Sequence, residues 1–384
     1  MIYKKKILFV SGNDHVEWGG SEVLWSQTAL NLVQKENFEI AFCVKRWPET
    51  PEHLQKLIDA GCIDLRWDLP GKVKRTLQRR MLDRVLKRNN KRTVSIHYSL
   101  KALERYDPSL VVISMGDHNW GYRWMNELCK RGVDYILLPQ LVKDAMVPDE
   151  NTNQYKFLKQ GYLNAKYVCC VSYDNLKLLE KQFAHTFENV KIVNNPIHHP
   201  EYTIEYPSCE VYHLACVASL NLNHKAQDII LELMRIDKWQ RRNIQIHLYG
   251  NGPHRRILQR LIDKWTLKNV MIEPFTEIER IWAKNHMLLL PSRMEGLSLA
   301  LLEALNFERM VLTTNLGDAS RFIDNGISGF LLEYPTVKLL DEKMEEAWEK
   351  RAQWKEMGKL GKKKLLNIIK VDPVQSFSEF LIRV

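Results

Sequence analysis

Apolar residues in this chain follow two rhythms. Short unbroken runs alternate with longer stretches in which apolar positions recur every three or four residues. The runs suit strands buried on both faces, and the longer stretches suit amphipathic helices. In the first half the strand candidates are 7–10, 40–44, 110–114, 135–138, 167–171 and 190–193, with helical patterns such as 22–33 and 174–183 between them. The second half repeats the alternation with runs at 212–218, 244–249, 270–272, 287–290 and 310–313. Strand–helix alternation of this kind predicts parallel, doubly wound sheets. Between the halves, "NNPIHHPEYTIEYPSCE" (194–210) holds three prolines and no helical period, and reads as a linker. After Glu333 the pattern predicts helices at 339–350 and 353–369 and a last amphipathic piece to the C-terminus.

Length agrees, since 384 residues exceed one ordinary core. The expected domains are 1–197 and 205–370, with a terminal helix at 373–384 packing back on the first. The composition, 45% hydrophobic and 27% charged, is that of a globular protein, and no apolar stretch approaches the roughly 20 residues that span a bilayer. The apolar run near the N-terminus, Ile7–Val10, is a first strand and too short for a signal peptide. Seven scattered cysteines without a C-x-x-C pair suit free thiols in a reducing cytoplasm. The histidines show no zinc-ligand spacing, and no D-x-D pair exists to clamp a metal–diphosphate complex, so no metal and no cofactor is expected.

The net charge of +10 is localised, because residues 71–105 carry the whole excess. Within them "VKRTLQRRMLDRVLKR" (73–88) has Val73, Leu77, Met81 and Val85 four apart and Arg or Lys on the other face. Two readings stand: an amphipathic helix on an anionic membrane surface, or a helix packed on the first domain with a solvated basic face. Nucleic acid is disfavoured, since no aromatic residues interleave the basic ones.

In doubly wound sheets, ligands bind beyond the carboxyl ends of the strands, so the loops there carry the candidate chemistry. The richest is "LLLPSRMEGLSLALLEAL" (288–305), a strand, a turn and a helix with Glu295 and Glu303 eight apart. Ser298 can cap the helix 299–306, and the turn Glu295-Gly296-Leu297-Ser298 then presents free amides at a positive helix end, suited to phosphate. Glu303, further along the helix, can accept two hydrogen bonds from a vicinal diol such as a ribose. The plain alternative is a helix with two partly exposed glutamates. In the first half Gly19 and Gly20 open a helix that Ser21 can cap, and allow a close approach of backbone to phosphate. Glu22 beside them either faces an acceptor or complements the helix dipole. In "SMGDHNWGYRWM" (114–125), Asp117 and His118 either line a ligand cleft or form a polar loop with a capping aspartate.

The segment "EGLSLALLE" resembles the E-x7-E motif of family 4 glycosyltransferases, which have the two-domain GT-B fold. "LYGNGPHRRILQRL" (248–261), "TTNLGDASRFIDNGISGFLLE" (313–333), "GGSEVLWSQTALNL" (19–32) and "VNNPI" (193–197) resemble that family's other motifs in the same order. The resemblance implies an α/β GT-B protein, with two Rossmann-like doubly wound parallel-sheet domains facing across a cleft. It further implies a retaining, metal-independent transferase moving a sugar from a nucleotide-diphosphate sugar to a glycan or lipid-linked acceptor; the expected location is the cytoplasm, at the inner face of a membrane under the first of the two readings of 73–88. Glu303 would hold the donor ribose and Glu295 would meet the donor sugar. Amides at Gly296, Leu297 and Ser298 would meet sugar and diphosphate, and Gly250 belongs to the glycine-rich loop. The loop containing Thr276 would touch the nucleobase. Lys225 matches the family's diphosphate-binding lysine. The arginine six residues earlier is here Ser219, which brings no charge, and Arg293 is the candidate replacement. The strand-end histidine is here Ser114, with His118 four residues on. These two departures keep open a silent nucleotide-sugar or membrane-surface module, and the shared architecture keeps open a sugar-nucleotide epimerase.

Overall fold

The structure is a computed structural model, and it describes residues 4–13, 17–67, 91–144, 149–198 and 204–384, with the backbone alone for 91–98. The basic stretch 73–88 lies outside the described residues. The chain divides into two compact units, one formed by residues 1–171, 175–194 and 373–384, the other by 172–174 and 195–372.

The first unit is built on a seven-stranded parallel sheet in the order β3-β2-β1-β4-β5-β6-β7. Its strands are β1 (Lys5–Ser11), β2 (Phe38–Cys43), β3 (Ile63–Asp64), β4 (Leu110–Met115), β5 (Asp134–Pro139), β6 (Tyr167–Cys170) and β7 (Val190–Ile192). Between them run α1 (Gly20–Val33), α2 (Glu52–Asp59), α3 (Lys91–Tyr106), α4 (Tyr122–Arg131), α5 (Asn153–Leu163) and α6 (Tyr173–Phe183). The central strands have no solvated face, and all six residues of β4 are buried. Phe9 of β1 pairs with Val112 of β4 in register. Each such side chain contributes roughly 1.5–3 kcal/mol on burial, which is why unbroken apolar runs were needed here. Trp25 and Trp124 are fully buried, and the Trp124 indole N–H donates to Ser99 Oγ at 3.1 Å, so the core contains no orphaned donor there.

The second unit has a six-stranded parallel sheet in the order β10-β9-β8-β11-β12-β13. These are β8 (Tyr212–Val217), β9 (Ile244–Tyr249), β10 (Val270–Glu273), β11 (Met287–Leu290), β12 (Met310–Thr314) and β13 (Phe330–Leu332). The helices are α7 (Leu222–Lys225), α8 (Gln227–Leu233), α9 (Asp237–Arg241), α10 (Arg255–Lys264), α11 (Ile278–Lys284), α12 (Leu299–Asn306), α13 (Ala319–Phe322), α14 (Val337–Glu349) and α15 (Trp354–Ile368). A final helix, α16 (Pro373–Arg383), belongs to the first unit and packs on α1.

Two strands, the two-residue β3 and the three-residue β13, were not among the predicted runs. The expected cap of α1 by Ser21 also needs correction. Gly19 is the N-cap residue, with no side-chain bond to the helix, while the Ser21 hydroxyl donates to Glu22.

Strand order sets where ligands can go. Each sheet grows outward in one direction and then reverses, between β1 and β4 in the first unit and between β8 and β11 in the second. Adjacent loops diverge at such a switch point and leave a crevice at the carboxyl edge.

Candidate functional site

In the second unit the two switch-point strands deliver a charged pair. Beyond β8 the chain makes the short helix α7, capped by Asn221, whose side chain accepts from the Asn223 amide at 3.2 Å. Beyond β11 it makes the turn 291–298. Lys225 Nζ at the end of α7 donates to Glu295 Oε1 at 2.7 Å, and Ser292 Oγ donates to the same oxygen at 2.7 Å. The pair is mostly shielded, with 20% of the lysine side chain and 9% of the glutamate side chain exposed. Lys225 and Glu295 were both singled out from sequence; Ser292 was not, because nothing in its spacing distinguishes it from an ordinary turn serine.

The turn leads into α12 with the expected cap in place, as Ser298 Oγ accepts from Leu301 N at 3.3 Å. Among the described residues the amides of Gly296, Leu297 and Ser298 donate to no protein acceptor. Asn195 Nδ2 donates to the Leu297 carbonyl at 2.7 Å and so fixes the orientation of the peptide that follows. Gly317, at φ +60, allows close approach from the other side, since a Cβ there would lie 2.4 Å from the Gly296 oxygen. The result is a cluster of oriented amides at the positive end of α12, beside Lys225.

Glu303 lies on α12, where its backbone carbonyl accepts from the Phe307 amide at 2.9 Å, while its carboxyl group hydrogen-bonds to no other described residue. Burial pushes its carboxyl up to about 7, with Glu279 adding repulsion and His198 partly offsetting it. Glu279 is held in turn by His198 Nε2 at 2.6 Å, and the His198 carbonyl accepts from Asn306 Nδ2 at 2.7 Å. His198 and Glu279 carried no recognisable motif, because their partnership joins positions 81 residues apart.

The glycine-rich loop after β9 is a packing device. Gly250 has φ +133, and a Cβ on it would lie 2.2 Å from the Ala218 carbonyl oxygen. The loops after β8 and β9 are zipped by Ala218 N to Tyr249 O, Leu220 N to Asn251 O and His254 N to Leu220 O. Ser219 sits on this seam, with its carbonyl accepting from Gln227 Nε2 at 2.9 Å. Thr276, in the loop after β10, spends its hydroxyl on Pro274 O at 3.0 Å, and neighbouring Phe275 is 85% exposed. Arg293 is paired with Asp228 through two hydrogen bonds of 2.8 Å.

In the first unit the switch-point loops bring Gly12, Gly19, Gly20 and Gly116 to the carboxyl edge of β1 and β4. Glu22 is buried and accepts from Trp25 Nε1 at 2.7 Å and Ser21 Oγ at 2.8 Å. Burial raises its pKa against those bonds. Asp117 and His118 are tied into the unit itself. Burial alone would raise the Asp117 carboxyl, but the Lys143 ammonium at 2.7 Å and the Asn119 amide outweigh it and keep the group ionised. The His118 ring is fully buried, accepts from the Lys143 amide at 3.3 Å, and is held neutral by burial.

A family model described as "Glycosyl transferases group 1" matches residues 212–350, all within the second unit. An uncharacterized glycosyltransferase of Methanocaldococcus jannaschii is 23% identical over 228 residues, which are 57% of this chain and 60% of that protein. The chain therefore spans less than two thirds of the curated relative it matches. The HepE protein of Anabaena, solved in complex with UDP and glucose, superposes with TM-score 0.70 at 13% identity, over 99% of this chain and 100% of that one. Sucrose-phosphate synthase from Thermosynechococcus elongatus superposes with TM-score 0.73, also at 13% identity, over 99% of both chains. With two Rossmann-like parallel-sheet units in one chain and these neighbours, the fold is GT-B.

Proposed function

We propose that this protein is a retaining, metal-independent glycosyltransferase that moves a sugar from a nucleotide-diphosphate sugar to a glycan or lipid-linked acceptor. The observation that carries the reading is the second unit's crevice, where Lys225, Glu295 and the free amides of Gly296–Ser298 converge within the segment matched by the family model. A cation and oriented amides are the groups needed to bind a diphosphate and to stabilise the charge that grows on it as it leaves. HepE, with the same fold, has been solved with UDP-glucose, which supports a donor of this class. In the reaction the bond from the anomeric carbon to the diphosphate oxygen breaks, and an acceptor oxygen bonds to that carbon from the same face. The acceptor's proton passes to the departing phosphate, so no protein base is required. Glu303 holds the ribose diol in this account, and Glu295 moves between Lys225 and the donor sugar. The acceptor belongs to the first unit, at the loops after β1 and β4, where Gly19 and Gly20 open α1. Attachment to the inner face of a membrane would bring a lipid-linked acceptor within reach.

The test is incubation with UDP-, GDP- and ADP-sugars, with and without chelator. Release of nucleoside diphosphate, undiminished by EDTA, is the expected result. Donor isomerised without release would make the protein an epimerase. Binding without turnover, even with acceptor extracts, would make it a silent module.

A further inference from the structure

Ser219 lacks the positive charge that the resemblance leads one to expect, and Arg293 is the candidate substitute that the sequence offers. Its contacts give it another task. Arg293 Nη1 donates to Asp228 Oδ1 and Nη2 to Asp228 Oδ2, each at 2.8 Å, a two-pronged pairing that only a guanidinium makes. Nη1 also donates to the Leu222 carbonyl at 2.6 Å. The Arg293 and Met294 amides donate to the His224 carbonyl at 2.7 and 3.3 Å. Leu222 and His224 belong to α7, whose last residue is Lys225, and Asp228 lies in the first turn of α8.

Helix α7 needs such support. It has four residues, far too few to hold itself together in water. It ends at Ala226, a buried non-glycine residue at φ 53, a conformation that persists only where the surroundings impose it. The turn 291–295 supplies the imposing contacts through the Arg293 side chain and the Arg293 and Met294 amides, and Asp228 holds the Arg293 guanidinium in place.

We infer that Arg293 is a positioning residue: by clamping α7 to α8 and to the turn after β11, it sets Lys225 Nζ against Glu295 and the free amides, and it does not meet the donor itself. The inference rests on the donor reading of the site for its consequence in turnover, but the placement of Lys225 can be measured without any substrate.

Two measurements test it. The first is competitive acetylation of the folded protein with trace acetic anhydride, read at Lys225 by peptide mass spectrometry. Arg293→Ala and Asp228→Ala should each raise the Lys225 labelling rate severalfold over other lysines, because both release α7. Arg293→Lys should behave like Arg293→Ala, since an ammonium keeps the charge but loses the fork. An unchanged rate in folded Arg293→Ala protein overturns the inference, whatever the enzyme turns over. The second measurement uses the donor that the panel identifies. Arg293→Ala and Asp228→Ala should lower kcat alike, by about tenfold, with KM for donor within about twofold. In a Lys225→Ala background Arg293→Ala should lower kcat no further. If Asp228→Ala keeps full turnover while Arg293→Ala loses it, Arg293 touches the donor and the inference fails. A loss that multiplies with that of Lys225→Ala shows a route other than Lys225, and also overturns it. A panel without turnover removes the proposed function and leaves the labelling result to decide the placement.

Discussion

At the scale of single residues, the burial of Glu303 is the feature with the clearest measurable consequence. Its folded-state pKa of about 7 lies above the ordinary carboxyl value of 4.5. Below about pH 4.5 both folded and unfolded chains hold the proton. As pH rises from there to 7 the unfolded chain releases it while the folded chain keeps it, so stability falls through that window. Glu303→Gln should abolish this fall and leave the protein more stable than the parent at pH 8, by on the order of 2 kcal/mol. Donor binding should show the opposite dependence. A carboxylate accepts two hydroxyl hydrogen bonds and a carboxylic acid does not, so affinity should rise from pH 6 to pH 8 with release of a proton. Calorimetry in buffers of different ionisation enthalpy reads both, and a flat affinity across that range would contradict the ribose role. Legibility at this scale was uneven. Glu295 stood out by its spacing from Glu303 and Lys225 by the family resemblance, and the two are in contact in the fold. Of the groups around them, Asp228 and Asn195 did not, because hydrogen bonds between positions 65 and 102 residues apart leave no local pattern, and Ser292 did not, because a turn serine three residues from Glu295 has nothing to distinguish it. Asp117 and His118 drew notice as exposed-loop chemistry, yet their side chains point into a buried network with Lys143, which periodicity cannot register.

At the scale of elements, the strands were legible wherever burial on both faces demanded an unbroken apolar run, as in β4 and β11. The edge strand β3 was not, since a two-residue pairing imposes almost no sequence demand; β13 was not either, although β7, also three residues long, was. Helix α15 shows a further constraint that composition hides. Gly358 reads as a weak point in a helix. In the fold it is a contact: a Cβ at Gly358 would lie 2.1 Å from the Glu308 carbonyl oxygen, and one at Gly361 would lie 2.6 Å from Leu305 Cδ2. The two glycines, three apart on one helix face, let α15 seat directly on α12 and the turn that follows it. The same α12 carries Glu303 and the free amides at its start. Gly358→Ala should therefore destabilise the second unit by about 1–3 kcal/mol, despite the better helix propensity of alanine. Chemical denaturation followed by tryptophan fluorescence measures it, with Trp354 as a reporter in the same helix. A stabilised variant would mean that backbone crowding is not what selects glycine there.

At the scale of the whole molecule, the chain builds its first unit out of three stretches, 1–171, 175–194 and 373–384. It leaves that unit at Asn194, completes the second unit, and returns at Pro373 for the final helix. Phe377 and Leu381 on α16 are fully buried, Phe380 meets Tyr167 edge-on at 4.9 Å, and Lys5 Nζ donates to the Leu381 carbonyl at 3.2 Å. Residues 373–384 thus close a face of the first unit formed by α1 and by the strands β1 and β6. Phe377→Ala removes a large side chain from a packed site, and should cost about 3–5 kcal/mol. That is a large fraction of the stability of an ordinary domain. The loss belongs to one unit only, which distinguishes it from a general weakening. Hydrogen exchange should show faster exchange across α1 and β1 in the variant, with β11 and β12 of the second unit still protected as in the parent. Uniform loss of protection in both sheets would show that the two units unfold as one. Unchanged exchange in α1 would show that α16 adds nothing to the first unit. The first unit is thus incomplete without residues 373–384, so a lesion in α16 should reach Gly19 and Gly20 through α1, the helix they open.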